Sequence, residues 1–398
     1  MKHNFPTMSV ILVPAMCLLQ ASCPAQEQSV PAPDSALRPH PDAEAAGMKP
    51  KVLNELDTAL QKQIDDGHVS GVIGLLSGND TIGYFESFGD RVIEKKQPMD
   101  KDTIFRLFSM TKPIVAVTAM SLWEEGKFKL DDPIHEYLPE WKDVRVLSGE
   151  GDPVRVDRPV TVRHLLTHSA GLSYDRRRLA MGASHNLEAF SKSMAARPLE
   201  FQPGTSYRYG YSIDILGRYI EAVAGKGLDE VMRERIFVPL EMNDTDFWIR
   251  RKDESSRMAV TYTRRNGSLR PGMGVGEALQ KPPRMMGGQG LYGTTMDYAR
   301  FCQMIARKGE LGGKRILKAS TVELMCQNYL KDIRRTYGLG GMVDGKGLYF
   351  WGGAAGTKFW VHTASNRYAV FMIQRWGYEP PTYKVFQRIT KEVWADEG

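Results

Sequence analysis

"FRLFSMTKPIVAVTAM" (residues 105–120) opens an apolar helix with three residues that a buried helix does not favour: Ser109, Lys112 and Pro113. Side chains three apart on a helix share a face, so Lys112 stands one turn from Ser109 with its ammonium near the serine oxygen. Proline is tolerated only in an opening turn, which fixes the helix start close to Ser109. The start of a helix also favours negative charge. All three residues make sense if Ser109 projects from the helix start into a cleft. A capping serine with a lysine snorkelling along the surface would carry the same tetrapeptide, so the rest of the chain decides.

The chain has 398 residues, 42% hydrophobic and 25% charged, an ordinary globular composition long enough for one large domain or two small ones. The net charge of +6 is spread along the sequence. No basic block is interleaved with aromatics, so nucleic acid is not an expected partner. Lys2 and His3 followed by "MSVILVPAMCLL" (8–19) resemble a secretion signal, too short to span a bilayer. Ala21 or Ala25 would end it, giving a signal over 1–25 and a secreted or periplasmic protein. Cys23 offers the alternative of a lipidated N-terminus and with it the only expected membrane contact, although Gln20 stands where a bacterial lipobox has Leu. Residues 26–50 are rich in Pro, Ala, Gln and Asp and read as a flexible linker. Beyond it only Cys302 and Cys326 remain, read as buried free thiols.

Residues 51–398 are expected to form the folded part. Val52, Leu56, Leu60 and Ile64 make one helical stripe. "SGVIGLLSGNDTIGYFESFG" (70–89) reads as two strands around a Gly78-Asn79-Asp80 turn. The helix from about Ser109 buries Ile114, Val117, Thr118 and Leu122 and ends at Gly126; Asp132 and Pro133 would start another. Thr161 caps "VRHLLTH", and Gly225 ends the helix that contains Asp214. The C-terminal third alternates as strands: "GLYFWGG", "TKFWVHT" and "RYAVFMIQ". The fold class is thus α/β (α+β). One antiparallel sheet is built from both ends of the chain (about 51–130 and 285–398), with a helical lobe over about 131–284 and a site in the cleft between them.

Five blocks carry a resemblance. "FRLFSMTKPIVAVTAMSLWEEGKFKLDDPIHEYLPEW", "VTVRHLLTHSAGL" (160–172), "FQPGTSYRYGYSIDILGRYIEAVAG" (201–225), "GGQGLYGTTMDYARF" (287–301) and "YFWGGAAGTKFWV" (349–361) stand in this order. Together they resemble the serine β-lactamase and penicillin-binding-protein superfamily, in its class C-like branch and nearest the family VIII carboxylesterases. The resemblance implies a β-lactamase/transpeptidase-like fold and an acyl-enzyme on Ser109. It gives Lys112 the task of holding or relaying the serine proton and Tyr209 that of general base. The N–H groups of Ser109 and Ala354 would be the oxyanion donors. It implies no cofactor and no metal.

The chemistry agrees with these roles. A serine hydroxyl is a poor nucleophile until a neighbour takes its proton, and an adjacent ammonium favours a tyrosinate. Small residues at Gly352, Gly353 and Ala354 would let substrate approach the strand closely.

Two departures from the β-lactamase pattern bear on substrate. Trp351-Gly352-Gly353 stands where K-T-G is usual, and Tyr211 stands where many relatives have Asn. Both make the pocket less polar, so Trp351, Gly352, Gly353 and Tyr211 are expected to bind a small neutral acyl ester. Lys358 and the arginines 176–178 are cations that could compensate. The alternatives are a β-lactamase or D-alanyl-D-alanine peptidase and, in another class, a catalytically silent binding protein on the same fold. His164 and His168 have a zinc-compatible spacing but no evident third ligand, and structural roles are expected. His362 could in principle form a triad with Ser109, but Lys112 and Tyr209 explain the serine without it. Nothing in the sequence sets the oligomeric state.

Overall fold

Asn79 and Asp80 take left-handed backbone angles (φ 49° and 60°) and turn strand β1 (Gly71–Gly78) back along β2 (Thr81–Val92). Two successive positive-φ residues match the twist of a hairpin, and Asn and Asp tolerate that conformation best after Gly. The turn read from the sequence is the turn observed. The structure is a computed structural model. It describes Met1 and residues 43–44, 46–149, 151–174, 185–272, 276–377 and 381–394, and the fold is that of the compact unit that begins at Asp34. Residues 2–42 and 45 of the signal and linker segments, Cys23 among them, and Arg176, Arg177 and Arg178 lie outside the described residues, while Ala46 and Met48 at the end of the expected linker are buried and Pro50 begins a helix.

Further strands are β3 (Gln97–Pro98), β4 (Ile104–Arg106), β5 (Tyr292–Thr294), β6 (Met342–Val343), β7 (Leu348–Gly352), β8 (Lys358–His362) and β9 (Arg367–Met372). Seven of them form one antiparallel sheet in the order β6-β7-β8-β9-β1-β2-β3. Its centre joins the two ends of the chain, with Leu75 opposite Val370. β4 and β5 pair separately beside the serine.

Both faces of the sheet are covered, which is why all eight residues of β1 are buried. On one face lie helices α1 (Pro50–Asp65) and, at the other end of the chain, Pro381–Thr390. Leu56, Leu60, Phe386 and Ile389 pack there against Val72, Leu76, Ala369 and Phe371. The stripe of α1 is Leu53, Leu56, Leu60 and Gln63, so Val52 and Ile64, expected to end it, are only partly buried. The opposite face carries Ile73, Leu75, Val370 and Met372 into the main core. Each large side chain so buried contributes about 1.5–3 kcal/mol.

Helix α2 (Thr111–Glu124) runs through that core. Twelve consecutive residues, Thr111 to Leu122, are buried, so the helix has no exposed face and the expected single stripe understates its burial. Gly126 (φ 72°) closes it through its N–H to the Trp123 carbonyl. Asp132 does not cap a helix. Its carboxylate accepts the Lys129 N–H (2.6 Å), and Pro133 only precedes a short 3-10 turn, Ile134–Glu136. Among the described residues the middle of the chain carries the α-helices α3 (Val162–Leu166), α4 (Leu187–Ala195), α5 (Ser212–Ala224) and α6 (Leu228–Met232). Thr161 caps α3 as expected, and Gly225 (φ 67°) ends α5.

Candidate active site

The residue before the serine takes the unusual angle. Phe108 has φ 48°, left-handed for a residue with a large side chain, a conformation that costs of order 1–2 kcal/mol. The surroundings hold it there. The Leu107 N–H donates to Leu291 O, the Leu291 N–H donates to Thr111 Oγ1, and the Tyr298 hydroxyl donates to Met110 O. The Phe108 ring packs on Trp376 (5.1 Å) and under the Arg106 guanidinium (4.8 Å). Ser109 follows in a 3-10 turn that runs into α2 and stays partly exposed.

Lys112 is wholly buried. Its Nζ lies 3.1 Å from Ser109 Oγ, 3.1 Å from the Tyr174 hydroxyl and 2.6 Å from the Gly288 carbonyl. An ammonium has three donors, and here each has an acceptor. The ring of Tyr209 lies 4.6 Å from the same nitrogen and that of Tyr174 5.6 Å, so the charge is also bounded by aromatic faces. Tyr209 therefore reaches the site by its ring. Among the described residues, the hydrogen bonds of Lys112 do not include the Tyr209 hydroxyl.

Tyr174 is the partner that the sequence reading missed. It lies two residues beyond the "HSAGL" block, and its signal is indirect. A side chain at Gly210 would strike the Leu172 carbonyl and the Ser173 backbone, so the Tyr209-Gly210-Tyr211 segment must press against the stretch that delivers Tyr174. Burial first, and the nearby Asp214 carboxylate next, push the Tyr174 hydroxyl well above its usual pKa. It remains a neutral phenol. Tyr211 is 4% exposed, with its ring against Tyr174 (4.5 Å) and Phe190 (5.3 Å). It backs Tyr174 and presents little surface.

Asp214, at the start of α5, is fully buried. One carboxylate oxygen accepts the Gly288 N–H (2.7 Å), and the other has no partner among the described residues. Burial raises its pKa to about 6, against the lowering pull of Lys112. Gly288 thus touches both charges, accepting from Lys112 and donating to Asp214. A Cβ at Gly288 would collide with the Asp214 carboxylate, and one at Gly287 with the Ile213 carbonyl. Gly287 and Gly288 are required by this close approach to the start of α5.

The last strand block meets the serine from the other side. A Cβ on Gly353 would run into Leu107 O and Thr357 Oγ1, and one on Gly352 into the Lys358 stem. These glycines, expected to make room for substrate, make room for the protein's own backbone and side chains. That close approach sets exposed Ala354 beside the turn carrying Ser109. Trp351 packs on Tyr209 (5.3 Å) and Tyr337 (5.4 Å), and its indole nitrogen is buried without an acceptor among the described residues. Lys358 points to the opposite face of the sheet, its Nζ over the Tyr383 ring at 5.4 Å.

The histidines are engaged elsewhere. His164 Nδ1 accepts the Thr161 N–H (3.1 Å) and completes the cap of α3; burial lowers its pKa to about 4. His168 is buried at φ 54° among Tyr207, Tyr209 and Tyr337, and burial with the Lys112 charge keeps it neutral. His362 pairs with Leu348 at the end of β7 and β8 remote from Gly352 and bonds Ser365, so it forms no triad with Ser109. Cys302 and Cys326 are free.

A partly exposed serine hydroxyl held by a buried lysine at a helix start is equipped for acyl transfer. Comparison with known proteins agrees. The lovastatin esterase of Penicillium rubens is 29% identical over 374 residues, covering 80% of this chain and 92% of that protein. Esterase EstB of Burkholderia gladioli is 30% identical over 282 residues, covering 63% and 69%. Among solved structures, EstCE1, described as a hydrolase with promiscuous acyltransferase activity, superposes with a TM-score of 0.75 at 26% identity, over 85% of this chain and 98% of that one. The family model described as Beta-lactamase matches residues 56–391, which hold the serine, the lysine and every group around them, and the chain is a serine hydrolase belonging to that family.

Proposed function

We propose that the protein is an exported carboxylesterase that hydrolyses short neutral acyl esters through an acyl-Ser109 intermediate. The observation that carries this reading is the pairing of Ser109 Oγ with a lysine whose charge is enclosed by Tyr174, Tyr209 and Gly288, opposite an indole at Trp351. A K-T-G lysine at that position would attract a substrate carboxylate, and a hydrogen bond to such a charged group is worth about 1.5–3 kcal/mol. An indole offers an apolar face instead. Lys358, the neighbouring cation, is turned to the far side of the sheet.

In the first step Ser109 Oγ attacks the ester carbonyl and its proton passes to a base. The family pattern gives that task to Tyr209 acting with Lys112, whose Nζ lies 4.6 Å from the Tyr209 ring. The oxyanion is met by the N–H groups of Ser109 and Ala354, each such donor being worth about 3 kcal/mol. The proton then goes to the leaving alkoxide, freeing the alcohol. Water repeats the sequence on the acyl-enzyme and releases the acid. An alcohol entering in place of water would give acyl transfer, the promiscuous activity described for EstCE1. Export rests on the basic start and apolar run at residues 2–19, and mass spectrometry of the mature N-terminus tests it.

The function is tested by parallel kcat/KM measurements on p-nitrophenyl butyrate, a chromogenic cephalosporin and a D-Ala-D-Ala peptide. The ester should lead by about 10- to 100-fold, the size of a lost charge-assisted contact. Comparable values for the ester and the cephalosporin would move the assignment to a β-lactamase.

A further inference from the structure

Trp376 is 38% exposed, and exposure of a single large apolar side chain is ordinary. Its place is what distinguishes it. The ring of Phe108, the residue before Ser109, packs on it at 5.1 Å. Its neighbour Arg375 donates its N–H to the Ala355 carbonyl at 2.8 Å, and Ala355 follows Ala354. The indole thus stands beside one neighbour of each proposed oxyanion donor, Ser109 and Ala354. Consecutive Cα atoms are about 3.8 Å apart, so an ester carbonyl held by those two N–H groups would have the indole on the order of 10 Å away. The backbone is held on both sides. Beyond β9 the chain forms a parallel bridge with Tyr262, whose N–H donates to Gln374 O (2.9 Å) and whose carbonyl accepts the Trp376 N–H (2.7 Å). Side chains alternate along such an extended stretch. Gln374 turns toward the serine, its Nε2 donating to Arg106 O (3.0 Å). Arg375 turns away, its guanidinium donating to His68 O (2.8 Å). Trp376 returns to the side of Gln374, where it meets Phe108.

We propose that Trp376 is a specificity-determining residue of the Ser109 site, its indole receiving the outer end of the acyl group and favouring esters of arylalkanoic acids. The proposal rests on the esterase reading above and adds which acids the enzyme prefers. The side of the ester follows from the proton path. The leaving alkoxide takes its proton from Tyr209 acting with Lys112, so the alcohol portion lies toward them and the acyl portion away. Among the described residues the ring of Trp376 meets that of Phe108 and none of Tyr174, Tyr209 and Trp351, where Tyr209 packs on both others. An indole offers a broad apolar face. A phenyl ring at the end of a short acyl chain, as in phenylacetate or 3-phenylpropionate, can meet it offset-stacked or edge to face, whereas the methyl end of an unbranched short acid covers little of it.

The test uses the full-length enzyme and esters that vary one side at a time. Methyl butyrate, methyl phenylacetate and methyl 3-phenylpropionate share their alcohol, and benzyl butyrate shares its acid with the first. Turnover is followed by titration of the released acid. Trp376→Ala should lower kcat/KM for the better of the two phenylalkanoates by about tenfold relative to methyl butyrate, mainly through KM, because binding surface is lost and the reacting groups are kept. The ratio of benzyl to methyl butyrate should change by less than about twofold. Trp376→Phe keeps a ring against Phe108 and should retain most of the preference that alanine loses. A fall by the same factor on every ester would show that the indole only supports Phe108 and the serine turn, and a fall confined to benzyl butyrate would place it on the alcohol side. Either result overturns the proposal, as does an unaltered ratio. A parent enzyme that hydrolyses none of these esters overturns the esterase reading and this proposal with it, whereas the other outcomes require an active parent and bear on the proposal alone.

Discussion

Replacing Tyr174 by Phe removes one oxygen and leaves the ring that packs on Tyr209 (5.5 Å) and Tyr211. That oxygen accepts one of three hydrogen bonds from Lys112, which has no exposure to water that could replace it. A hydrogen bond to a charged group contributes about 1.5–3 kcal/mol. If the loss falls on the arrangement that activates Ser109, kcat should drop by about 10- to 100-fold, since ~1.4 kcal/mol is a factor of ten. KM should change little, because the missing atom holds the lysine and not the ester. Tyr209→Phe removes the proposed base, whose share is about 10²–10⁴-fold, and should cost more. Initial rates on p-nitrophenyl butyrate for both variants and the parent, with thermal melts to confirm folding, measure the comparison. A Tyr174→Phe enzyme with kcat within twofold of the parent would show that the third bond of Lys112 has no catalytic weight. A tolerated Tyr209→Phe beside a dead Tyr174→Phe would reverse the assignment of the base.

Ser109→Ala should abolish labelling by a fluorophosphonate probe, with the tryptic peptide spanning residue 109 carrying the label in the parent; label retained in the variant refutes the nucleophile. Trp351→Ala should raise KM and also lower kcat several-fold, because the indole packs on Tyr209 as well as standing in the proposed ester-binding block; a pure KM effect would mean that Tyr209 keeps its place without it. Gly353→Ala forces a methyl group against Leu107 O and Thr357 Oγ1, and should reduce kcat at least tenfold while displacing Ala354, with unchanged kcat counting against the close approach described above. Asp214 has a folded-state pKa of about 6, above its ordinary 3.8; its stabilising contribution is therefore complete below about pH 4 and lost as pH rises through 6. Melting curves of the parent and Asp214→Asn should accordingly diverge between pH 4 and 7, the parent losing stability relative to the variant, whereas a constant offset across that range contradicts a titration there.

The contact of Ser109 with Lys112 was legible because helical geometry brings residues 109 and 112 together, and the Asn79-Asp80 turn because only a few residues adopt left-handed angles cheaply. The outer strands were legible through their alternation. Alternation also held the answer for Lys358, next to core residue Phe359 on the same strand and so on the other face with Trp360. What escaped reading is what side-chain pattern does not encode. The Gly288 acceptor is a backbone carbonyl. The need for glycine at 288 and 353 comes from neighbours distant in sequence. Tyr174 resembles any loop tyrosine until the Tyr209-Gly210-Tyr211 segment is seen pressed against it. Tyr211 replaces Asn by type, but its burial behind Tyr174 follows from packing.

The joining of the sheet from both ends also bears on how the polypeptide can be cut and rejoined. Met48 bridges Trp394, and the Lys49 N–H donates to Val393 O at 2.8 Å, so the two ends of the folded unit already touch. Neighbouring ends are the condition for circular permutation, and exposed loop tips tolerate new termini best. The hairpin tip at Asn266-Gly267 is exposed and belongs to a small two-stranded sheet of its own. A chain opened there and linked between residues 394 and 48 would place β9 ahead of β1, separated by helix Pro381–Thr390, the new link and α1. The central strand pair, which in the native order must wait for the C-terminal third of the chain, would then close a much shorter loop, and its formation should be faster.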